Sequence, residues 1–241
     1  MCSSDLSGVN IGDFGKTTGE NLLQLIQALD KVEGIERYRI SSIEPDLLSE
    51  EIIRFTAQSG KFVPHFHIPL QSGCDKILAL MKRHYDTQLF REKIELINQL
   101  IPDAFIGVDV IVGTNGETEI DFEETVEFIK SLNITQLHVF SYSERANTQA
   151  LKINGKVSSK EKKRRSDILL HLSEEKRIKF YQSQIGKELS VLWEESKKGD
   201  TMHGFSDNYI LVEVPNNHEM VNKITKVIPT QFNNDRSALT L

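Results

Sequence analysis

The chain has 241 residues, of which 39% are hydrophobic and 27% are charged, and its formal net charge is −6. This balance suits a globular protein with one sizeable α/β domain, or one domain plus a small module. It argues against a broad positive field for nucleic acid, and no stretch reaches the roughly 18 apolar residues of a transmembrane helix. Two cysteines cannot build a disulfide framework, and no signal peptide pattern opens the chain. We therefore expect a cytoplasmic protein without a membrane partner.

The first six residues, MCSSDL, show no periodicity. The peptide Cys-Ser-Ser-Asp-Leu is also encoded in one frame by the end of a widely used sequencing-library adapter. A short natural tail is the alternative reading. We expect residues 1–6 to be a non-native tail joined to an N-terminally truncated chain, in which Cys2 carries no chemistry.

Strand-like and helix-like segments alternate from residue 8 to about residue 150. The predicted strands cover residues 37–45, 66–72, 104–113 and 134–143. The predicted helices cover residues 19–32, 46–60, 75–84, 87–101 and 119–132. Strands about 30 residues apart with helices between them predict βαβ units and a parallel sheet. Neither GxGxxG nor GxxxxGK[ST] is present, which disfavours the nucleotide-binding folds that carry those motifs.

A long helix and a β-rich region are predicted after this α/β part. Residues 158–183 form one helix candidate with a basic N-terminal half, and most such charge runs are solvated connecting helices. After Gly186, short β segments separated by turn residues predict a small antiparallel OB-like barrel. The expected division is therefore an α/β part over residues 7–157, the connecting helix over residues 158–183, and a β module over residues 184–241.

Four polar residues of the α/β part stand out: Glu44, Gln71, Arg83 and Asp109. Each one alone is more often a cap, a loop hydrogen bonder or a surface residue, although an aspartate in the apolar segment GVDVIVG needs a partner. The carboxyl ends of parallel strands form one rim, where a barrel or an open sheet binds its ligand. Carboxylates, an amide and an arginine fork on that rim suit a ligand with an amino acid end and a ribose. S-adenosylmethionine offers all of these groups.

Several ordered motifs then make the chain resemble a known family. The motifs are SGVNIG, TGENLL, RYRISSIEP, HIPLQSG, MKRHY, DVIVG and HVFSYSER. They are similar to those of the radical S-adenosylmethionine methylthiotransferases, and GVNIGDFG with RISSIEP resembles the branch that modifies N6-threonylcarbamoyladenosine beside the tRNA anticodon. The resemblance runs from Ser7 to near the C-terminus. It implies a partial parallel (β/α) barrel of the radical SAM type, followed by a TRAM domain, which is an RNA-binding OB-like barrel.

The resemblance also implies which residues bind S-adenosylmethionine. Gln71 and Arg83 are similar to the glutamine and arginine that hold this cofactor, while Glu44 and Asp109 match acidic strand-end positions. The remaining cofactor-binding positions that the motifs imply are Gly8, Asn10, Ser42, Ser72, Gly113 and Gly116.

Two departures from the family pattern bear on activity. The family reads Gly-Phe-Pro-Gly-Glu-Thr where residues 113–118 are Gly-Thr-Asn-Gly-Glu-Thr, so we expect a less rigid loop. The family also needs a CxxxCxxC motif for one [4Fe–4S] cluster and three more cysteines for a second cluster, because thiolates hold such clusters. Only Cys74 is left as a native thiol here, and a packed small hydrophobe is its favoured role. We therefore expect both clusters in a full-length enzyme only, and neither a metal ligand nor a catalytic residue in this chain.

The implied reaction is the addition of a methylthio group to adenine C2 of tRNA, supported by an electron donor. Binding of the anticodon stem-loop is assigned to the β module, with Phe205 and Tyr209 as stacking platforms, and its phosphate contacts to local patches such as Lys197 and Lys198 or the basic helix. The module core is an equal alternative for these aromatic residues. Two other functions stay open. One is a sister enzyme that acts on isopentenyladenosine tRNA or on a ribosomal protein, and the other is a non-catalytic RNA-binding scaffold.

Overall fold

The structure is a computed structural model that describes residues 10–195 and 199–241 together with the backbone of residues 2–6. Three residues with a predicted binding role, Gly8, Lys197 and Lys198, lie outside the described residues. No helix in the described ranges is both long enough and apolar enough to cross a membrane.

Parallel strands alternate with helices in the first part of the chain. The strands are β1 (Cys2–Leu6), β2 (Ile35–Ile40), β3 (His65–Gln71), β4 (Phe105–Val112) and β5 (Gln136–Ser141). The helices are α1 (Leu22–Asp30), α2 (Glu50–Gln58), α3 (Asp75–Leu80), α4 (Thr87–Leu100) and α5 (Glu119–Ser131). Strand β1 pairs in parallel with β2, and β3, β4 and β5 form a parallel sheet in that order. Single parallel bridges from Tyr38 to Phe62 and from Ser42 to His67 link the two sheets. The predicted parallel α/β architecture is therefore confirmed.

The alternation of side chains along β3 and β4 separates a helix-covered face from an inner face. Phe66, Ile68 and Leu70 pack in the hydrophobic core under the helices, as do Val108 and Val110. The intervening residues point to the opposite face, because successive side chains of a strand alternate. That inner face is therefore where polar residues of these strands can meet.

Polar caps determine where the predicted helices begin. The side chain of Ser49 accepts a hydrogen bond from the backbone N–H of Ile52, so α2 begins at Glu50, four residues later than predicted. Thr118 and Asp121 form a reciprocal capping box at the start of α5. Helix boundaries thus follow the caps and not the ends of the apolar pattern.

Strand β1 was not expected. Residues 3–6 pair in register with residues 37–40 of β2, although MCSSDL lacks a strand pattern. Strand pairing uses backbone groups, so an open edge of β2 can accept an extended segment whatever its side chains. The lack of periodicity in MCSSDL therefore did not indicate this strand, and the non-native origin of residues 1–6 stays a prediction.

The long helix α6 (Ser159–Gln184) confirms the predicted helix, but it is not simply solvated. Leu169 is fully buried in the core of the α/β part. The hydroxyl of Ser173 accepts a hydrogen bond from the backbone N–H of Leu137 in β5 at 2.8 Å. One face of α6 therefore packs against β5 as part of the α/β region.

The region after α6 is a sheet with its own core. Its strands are β6 (Leu189–Trp193), β7 (Thr201–Ser206), β8 (Leu211–Pro215), β9 (Ile224–Val227), β10 (Gln231–Phe232) and β11 (Leu239–Thr240). Their order is β10-β11-β8-β7-β6-β9. Trp193, Val191 and Val212 are fully buried in the core of this module. The prediction of a purely antiparallel module is wrong in one respect, because β11 runs parallel to β8.

Candidate cofactor site

The turn after α3 determines where Arg83 lies. Helix α3 ends at Leu80, and the backbone of Lys82 has a φ of 56°. The N–H of Lys82 bonds to Ala79 O and the N–H of Arg83 bonds to Leu78 O, both at 3.0 Å. These are the two bonds of a Schellman motif, which ends a helix and reverses the chain. The expectation of Arg83 on a helix is therefore wrong, because Arg83 lies on the loop that follows this reversal.

Arg83 meets Glu44 on that loop. Nη1 of Arg83 donates to Oε1 of Glu44 at 2.9 Å, and both side chains are about one quarter exposed. Burial raises the pKa of Glu44 and Arg83 offsets part of this effect. Asn10 supports the same loop, because its Oδ1 accepts from the backbone N–H groups of Gly12 and Glu44. The structure thus brings three predicted site residues together at the end of β2.

An open cleft of about 370 Å³ adjoins this pair. The residues that line it include Asn10, Asp46, Leu47, Met81, Lys82 and Arg83. The cleft thus offers charged groups of both signs beside two apolar side chains.

Gln71 ends β3 in an unusual backbone conformation. Its φ is 67°, in the left-handed region that costs a non-glycine residue about 1–2 kcal/mol. The strand register shifts between Pro69 and Gln71, so Gln71 pairs with Val110. Its Oε1 is buried and has no hydrogen-bond partner among the described residues. Backbone strain together with an unpaired buried amide oxygen points to a functional position.

The side chain of Tyr85 is hydrogen-bonded to this end of β3. Its hydroxyl donates to the backbone oxygens of Pro69 and Leu70, at 2.9 and 3.3 Å. Burial, followed by the charge of Glu44, raises the pKa of Tyr85, so the phenol stays protonated as a donor. The Tyr85 side chain thus fixes the end of β3 next to the carboxylate of Glu44.

Other buried polar atoms without a partner among the described residues lie near this strand end, among them Nε of Arg83, Oγ of Ser41 and Oγ1 of Thr114. Ser41 follows β2 and Thr114 follows β4, so they share the rim with Gln71. Each unmet buried polar group costs about 1–3 kcal/mol. Donors and acceptors left open on one rim are what a bound polar ligand would satisfy.

Asp109 has the partner that its burial requires. This partner is His67 on the neighbouring strand β3. Nε2 of His67 donates to Oδ1 of Asp109 at 2.6 Å. The imidazole of His138 on β5 lies next to His67, with ring centroids 5.1 Å apart. Partial burial and then the charge of His67 lower the pKa of His138, and Asp109 offsets this only in part. Asp109 thus belongs to a cluster with two histidines on the inner face.

The remaining predicted positions serve the surrounding loops. The backbone oxygen of Ser42 accepts from Ile11 N. Ser72 is fully buried, and its hydroxyl contacts Oγ1 of Thr125 at 3.2 Å and accepts from the N–H of Cys74. The hydroxyl of Ser72 therefore holds the turn after β3 against Thr125.

The loop of residues 113–118 is held at both ends although it lacks the proline of the family pattern. Gly113 and Gly116 have φ values of 74° and 85°, which favour glycine. The N–H of Gly113 donates to Oε2 of Glu117, and the N–H of Gly116 donates to Gly155 O. The side chain of Asn115 donates to Ala150 O. The expectation of a less rigid loop therefore finds no support in its contacts.

The two aromatic residues with a predicted stacking role lie where the module meets the parallel sheet. Phe205 and Tyr209 stack with ring centroids 4.7 Å apart. Tyr209 also packs against the rings of His65 and Phe105, and the Arg39 guanidinium lies 4.6 Å from its ring centroid. The side chain of Tyr209 is thus engaged by protein groups at the start of β3 and β4. It serves the contact between the two parts of the chain.

Sequence reasoning missed Ser41, Thr114, Tyr85, His67 and His138. A signal existed for the two histidines, because FHIPLQS and LHVFSYS place them on the face opposite the apolar residues. Ser41 and Thr114 carried no signal, since lack of a partner is a property of the folded chain only.

This combination of features defines a class: a parallel α/β protein with a polar ligand site at the carboxyl ends of its strands. A family model described as the Radical SAM superfamily matches residues 9–129, which is half of the chain. The chain belongs to the radical SAM superfamily.

Curated relatives extend this finding. The chain is 38% identical over 223 residues to the threonylcarbamoyladenosine tRNA methylthiotransferase MtaB of Aquifex aeolicus, covering 92% of this chain and 53% of that protein. It is 36% identical to the protein of the same name from Bacillus subtilis, over 92% of this chain and 51% of the relative. It is 38% identical to tRNA-2-methylthio-N(6)-dimethylallyladenosine synthase of Syntrophus aciditrophicus, over 80% of this chain and 42% of the relative. The chain thus spans about half the length of the curated relatives it matches.

A solved structure supports the fold. Coproporphyrinogen III oxidase of Escherichia coli, described as a radical SAM enzyme, aligns with a TM-score of 0.50 at 13% identity. The alignment covers 77% of this chain and 50% of the other. At this identity the likeness concerns the fold alone.

Proposed function

We propose that this chain is the cofactor-binding and RNA-binding part of a tRNA methylthiotransferase that acts on N6-threonylcarbamoyladenosine. The proposal of cofactor binding rests on two buried polar atoms at the carboxyl ends of the strands. These are Gln71 Oε1 and Arg83 Nε, which have no hydrogen-bond partner among the described residues. Membership of the radical SAM superfamily makes S-adenosylmethionine the ligand expected there. The substrate part rests on the names of the relatives, of which the first three are threonylcarbamoyladenosine enzymes.

The residues on the rim fit S-adenosylmethionine by their chemistry. Arg83 would receive the α-carboxylate, since a guanidinium forms short charge-assisted pairs with carboxylates. Glu44 would hold the Arg83 fork in place and accept from the ammonium or the ribose hydroxyls. Gln71 would use its free oxygen as an acceptor. When bound, S-adenosylmethionine would supply the adenosyl and methyl groups of the reaction.

The residues of this chain do not fit a [4Fe–4S] cluster. Three or four thiolates hold such clusters, and the chain contains two cysteines. Burial, the largest influence, raises the pKa of the Cys74 thiol to about 11, and Sγ donates to Asp121. Its burial and its raised pKa support the role of a packed, protonated thiol for Cys74. We therefore attribute neither cluster nor the radical step to the residues of this chain.

Binding of S-adenosylmethionine to the 241-residue chain tests the cofactor part. We expect saturable binding by titration calorimetry, and a loss of affinity in Arg83→Ala. Arg54→Ala is a matched control, because Arg54 forms its ion pair with Glu50 on the open surface of α2. Equal affinities of Arg83→Ala and Arg54→Ala, or no binding by the wild type, would refute the cofactor part.

The RNA part assigns the role of a TRAM domain to the six-stranded module and a tRNA anticodon stem-loop to the chain as its partner. The full-length enzyme would also need an electron donor. Filter binding of three stem-loops, with threonylcarbamoyladenosine, isopentenyladenosine or plain adenosine at the same position, separates the proposed substrate from that of the sister enzyme. We expect the first to bind most tightly and its affinity to fall as salt rises, because phosphate contacts release counterions. Preference for the isopentenyl form would favour the sister enzyme, and equal binding of all three would favour a scaffold.

A further inference from the structure

Two histidines and one aspartate meet on the inner face of the β3–β4–β5 sheet. The ligand atoms that His67, Asp109 and His138 can offer all lie within 4.8 Å of one another. They come from three neighbouring strands and are separated by 42 and 29 residues along the chain. The side chains of His67 and Asp109 are 28% and 18% exposed, so the cluster is open to small solutes.

The strand register produces this cluster. Asp109 is directly opposite His138 on β5, and His67 is opposite Gly107 on β4. Gly107 lies beside these rings and has no side chain of its own; a Cβ at this position would meet Cε1 of Phe105 at 3.3 Å and Nε2 of His138 at 3.4 Å. The histidine rings therefore approach each other over a glycine, with Asp109 beside both.

We propose that His67, Asp109 and His138 bind one divalent transition-metal ion of the zinc class. Two imidazoles and one carboxylate form a common ligand set for such ions, with a fourth position open. Zinc–ligand bonds of about 2.0–2.2 Å place tetrahedral ligand atoms about 3.3 Å apart. The present separations need modest side-chain rotations to reach that value, and the partial exposure of the cluster provides an entry path.

The metal would replace a hydrogen bond. In the structure, Asp109 accepts from Nε2 of His67 at 2.6 Å, so the aspartate is already directed at the ring atom that would become a ligand. Binding would release the proton of that bond, while the carboxylate would turn from His67 to the ion. Asp109 thereby serves the metal and not the cofactor, whereas Glu44, Gln71 and Arg83 keep the cofactor. The metal proposal and the cofactor proposal therefore stand on different residues.

The fourth coordination position of the proposed metal ion is open and could bind a ligand. A metal with a free coordination position can take an oxygen of a carboxylate, a carbonyl or a water molecule. On the inner face of the sheet this position faces the space that the strands enclose. A ligand with an oxygen donor is the class that such a position would hold.

Cobalt and zinc titrations of the chelator-treated 241-residue chain test the proposal. We expect one equivalent of Zn²⁺ by calorimetry and an intense visible d–d spectrum on addition of Co²⁺. His138→Gln should bind at least tenfold more weakly and lose the spectrum. Asp109→Asn should also weaken binding, because an amide cannot provide the negative charge. Absence of binding by the wild type, or wild-type affinity in His138→Gln, would overturn the proposal.

Two control variants separate this site from other metal-binding groups of the chain. His203 lies 2.9 Å from Glu213 in the module, which is a histidine–carboxylate pair outside the metal cluster, so His203→Gln should bind the ion as the wild type does. Cys2→Ser removes the one thiol near the N-terminus and should also leave the affinity unchanged. A loss of binding in either control with wild-type binding in His138→Gln would place the ion elsewhere and overturn the proposal.

Discussion

Arg83 and Glu44 are 39 residues apart in the chain, yet Nη1 of Arg83 lies 2.9 Å from Oε1 of Glu44. The pair exists because the chain reverses at Lys82 after α3, and because β2 ends just before Glu44. Nε of Arg83 remains buried without a partner among the described residues. The Glu44 carboxylate thus holds the Arg83 guanidinium in one orientation. The guanidinium keeps a donor, Nε, that is free to bind a ligand.

The first prediction concerns the contribution of the Arg83 guanidinium to cofactor binding. Arg83→Ala should weaken S-adenosylmethionine binding by about 1.5–3 kcal/mol, the usual loss for a hydrogen bond to a charged group. Arg83→Lys should restore only part of it, because an ammonium lacks the planar fork. Titration calorimetry of the two variants beside the wild type measures this. Full restoration by lysine would mean that charge alone matters at this position.

The second prediction separates strain from function at Gln71. Both Gln71→Gly and Gln71→Ala remove the unpaired amide oxygen, and both should lose cofactor affinity. Only alanine keeps a Cβ at a φ of 67°, so Gln71→Gly should be more stable than Gln71→Ala by about 1 kcal/mol. Urea unfolding of the two variants gives this difference directly. Asn222→Gly is a control for the backbone effect, since Asn222 has a φ of 58° on the surface. Equal stability of the glycine and alanine variants would show that the backbone is not strained at residue 71.

Periodicity predicts the elements that bury one face against the core. Helices α1 to α6 and strands β2 to β5 follow apolar patterns that a packed face requires, so the parallel sheet could be predicted. The end of α3 could not, because Lys82 stands where a glycine would mark the reversal. Strand β1 could not either, since backbone pairing leaves no pattern in MCSSDL.

The candidate site was predictable only in part for a similar reason. Glu44, Gln71 and Arg83 were recognisable as polar residues near strand ends and by family motifs. Ser41 and Thr114 were not, because being unpaired depends on every neighbour in the folded chain. The joining of Asp109 with His67 and His138 depends on strand register, which a single sequence does not specify.

The third prediction concerns acid stability at the start of α5. Burial, the largest influence, raises the pKa of Asp121, but hydrogen bonds from Lys76 and Thr118 outweigh it and lower the pKa to about 2. In the unfolded chain an aspartate has a pKa of about 3.9. Because the folded pKa is lower, the unfolded state binds the proton more tightly, and Asp121 stabilises the fold above pH ~4. This contribution is lost as the pH falls from about 4 to about 2.

Asp121→Asn should therefore lower the free energy of unfolding by roughly 1–2 kcal/mol at pH 7 and by progressively less below pH ~4. The asparagine keeps an oxygen that can cap Thr118 N, so the change mainly removes charge. Thermal unfolding at a series of pH values measures the difference. Asp167→Asn is the control, because Asp167 pairs with Lys163 on the surface of α6 and should show almost no effect. A difference that stays constant from pH 7 to pH 2 would contradict the assignment.

The fourth prediction compares two adjacent arginines of α6. Arg165 is 4% exposed and donates from Nη1 to Oε2 of Glu117, whose side chain is 1% exposed, at 2.8 Å. Arg164 is 45% exposed and forms ion pairs with Glu119 and Glu161. Arg165 also pairs with these two glutamates, so the arginines differ mainly in burial and in their contact with Glu117.

Arg165→Ala should cost about 3–5 kcal/mol of stability, since it leaves the Glu117 carboxylate buried and unpaired. Arg164→Ala should cost at most about 1 kcal/mol, as is usual for an exposed ion pair. Adding Glu117→Gln to Arg165→Ala should recover part of the loss, because the amide is neutral and its oxygen can still accept from Gly113 N. Urea unfolding of the wild type and these three variants tests this, and equal costs for Arg164→Ala and Arg165→Ala would mean that water reaches Glu117. Because Glu117 holds the loop that carries Thr114, the same series also predicts that S-adenosylmethionine affinity falls in Arg165→Ala but not in Arg164→Ala.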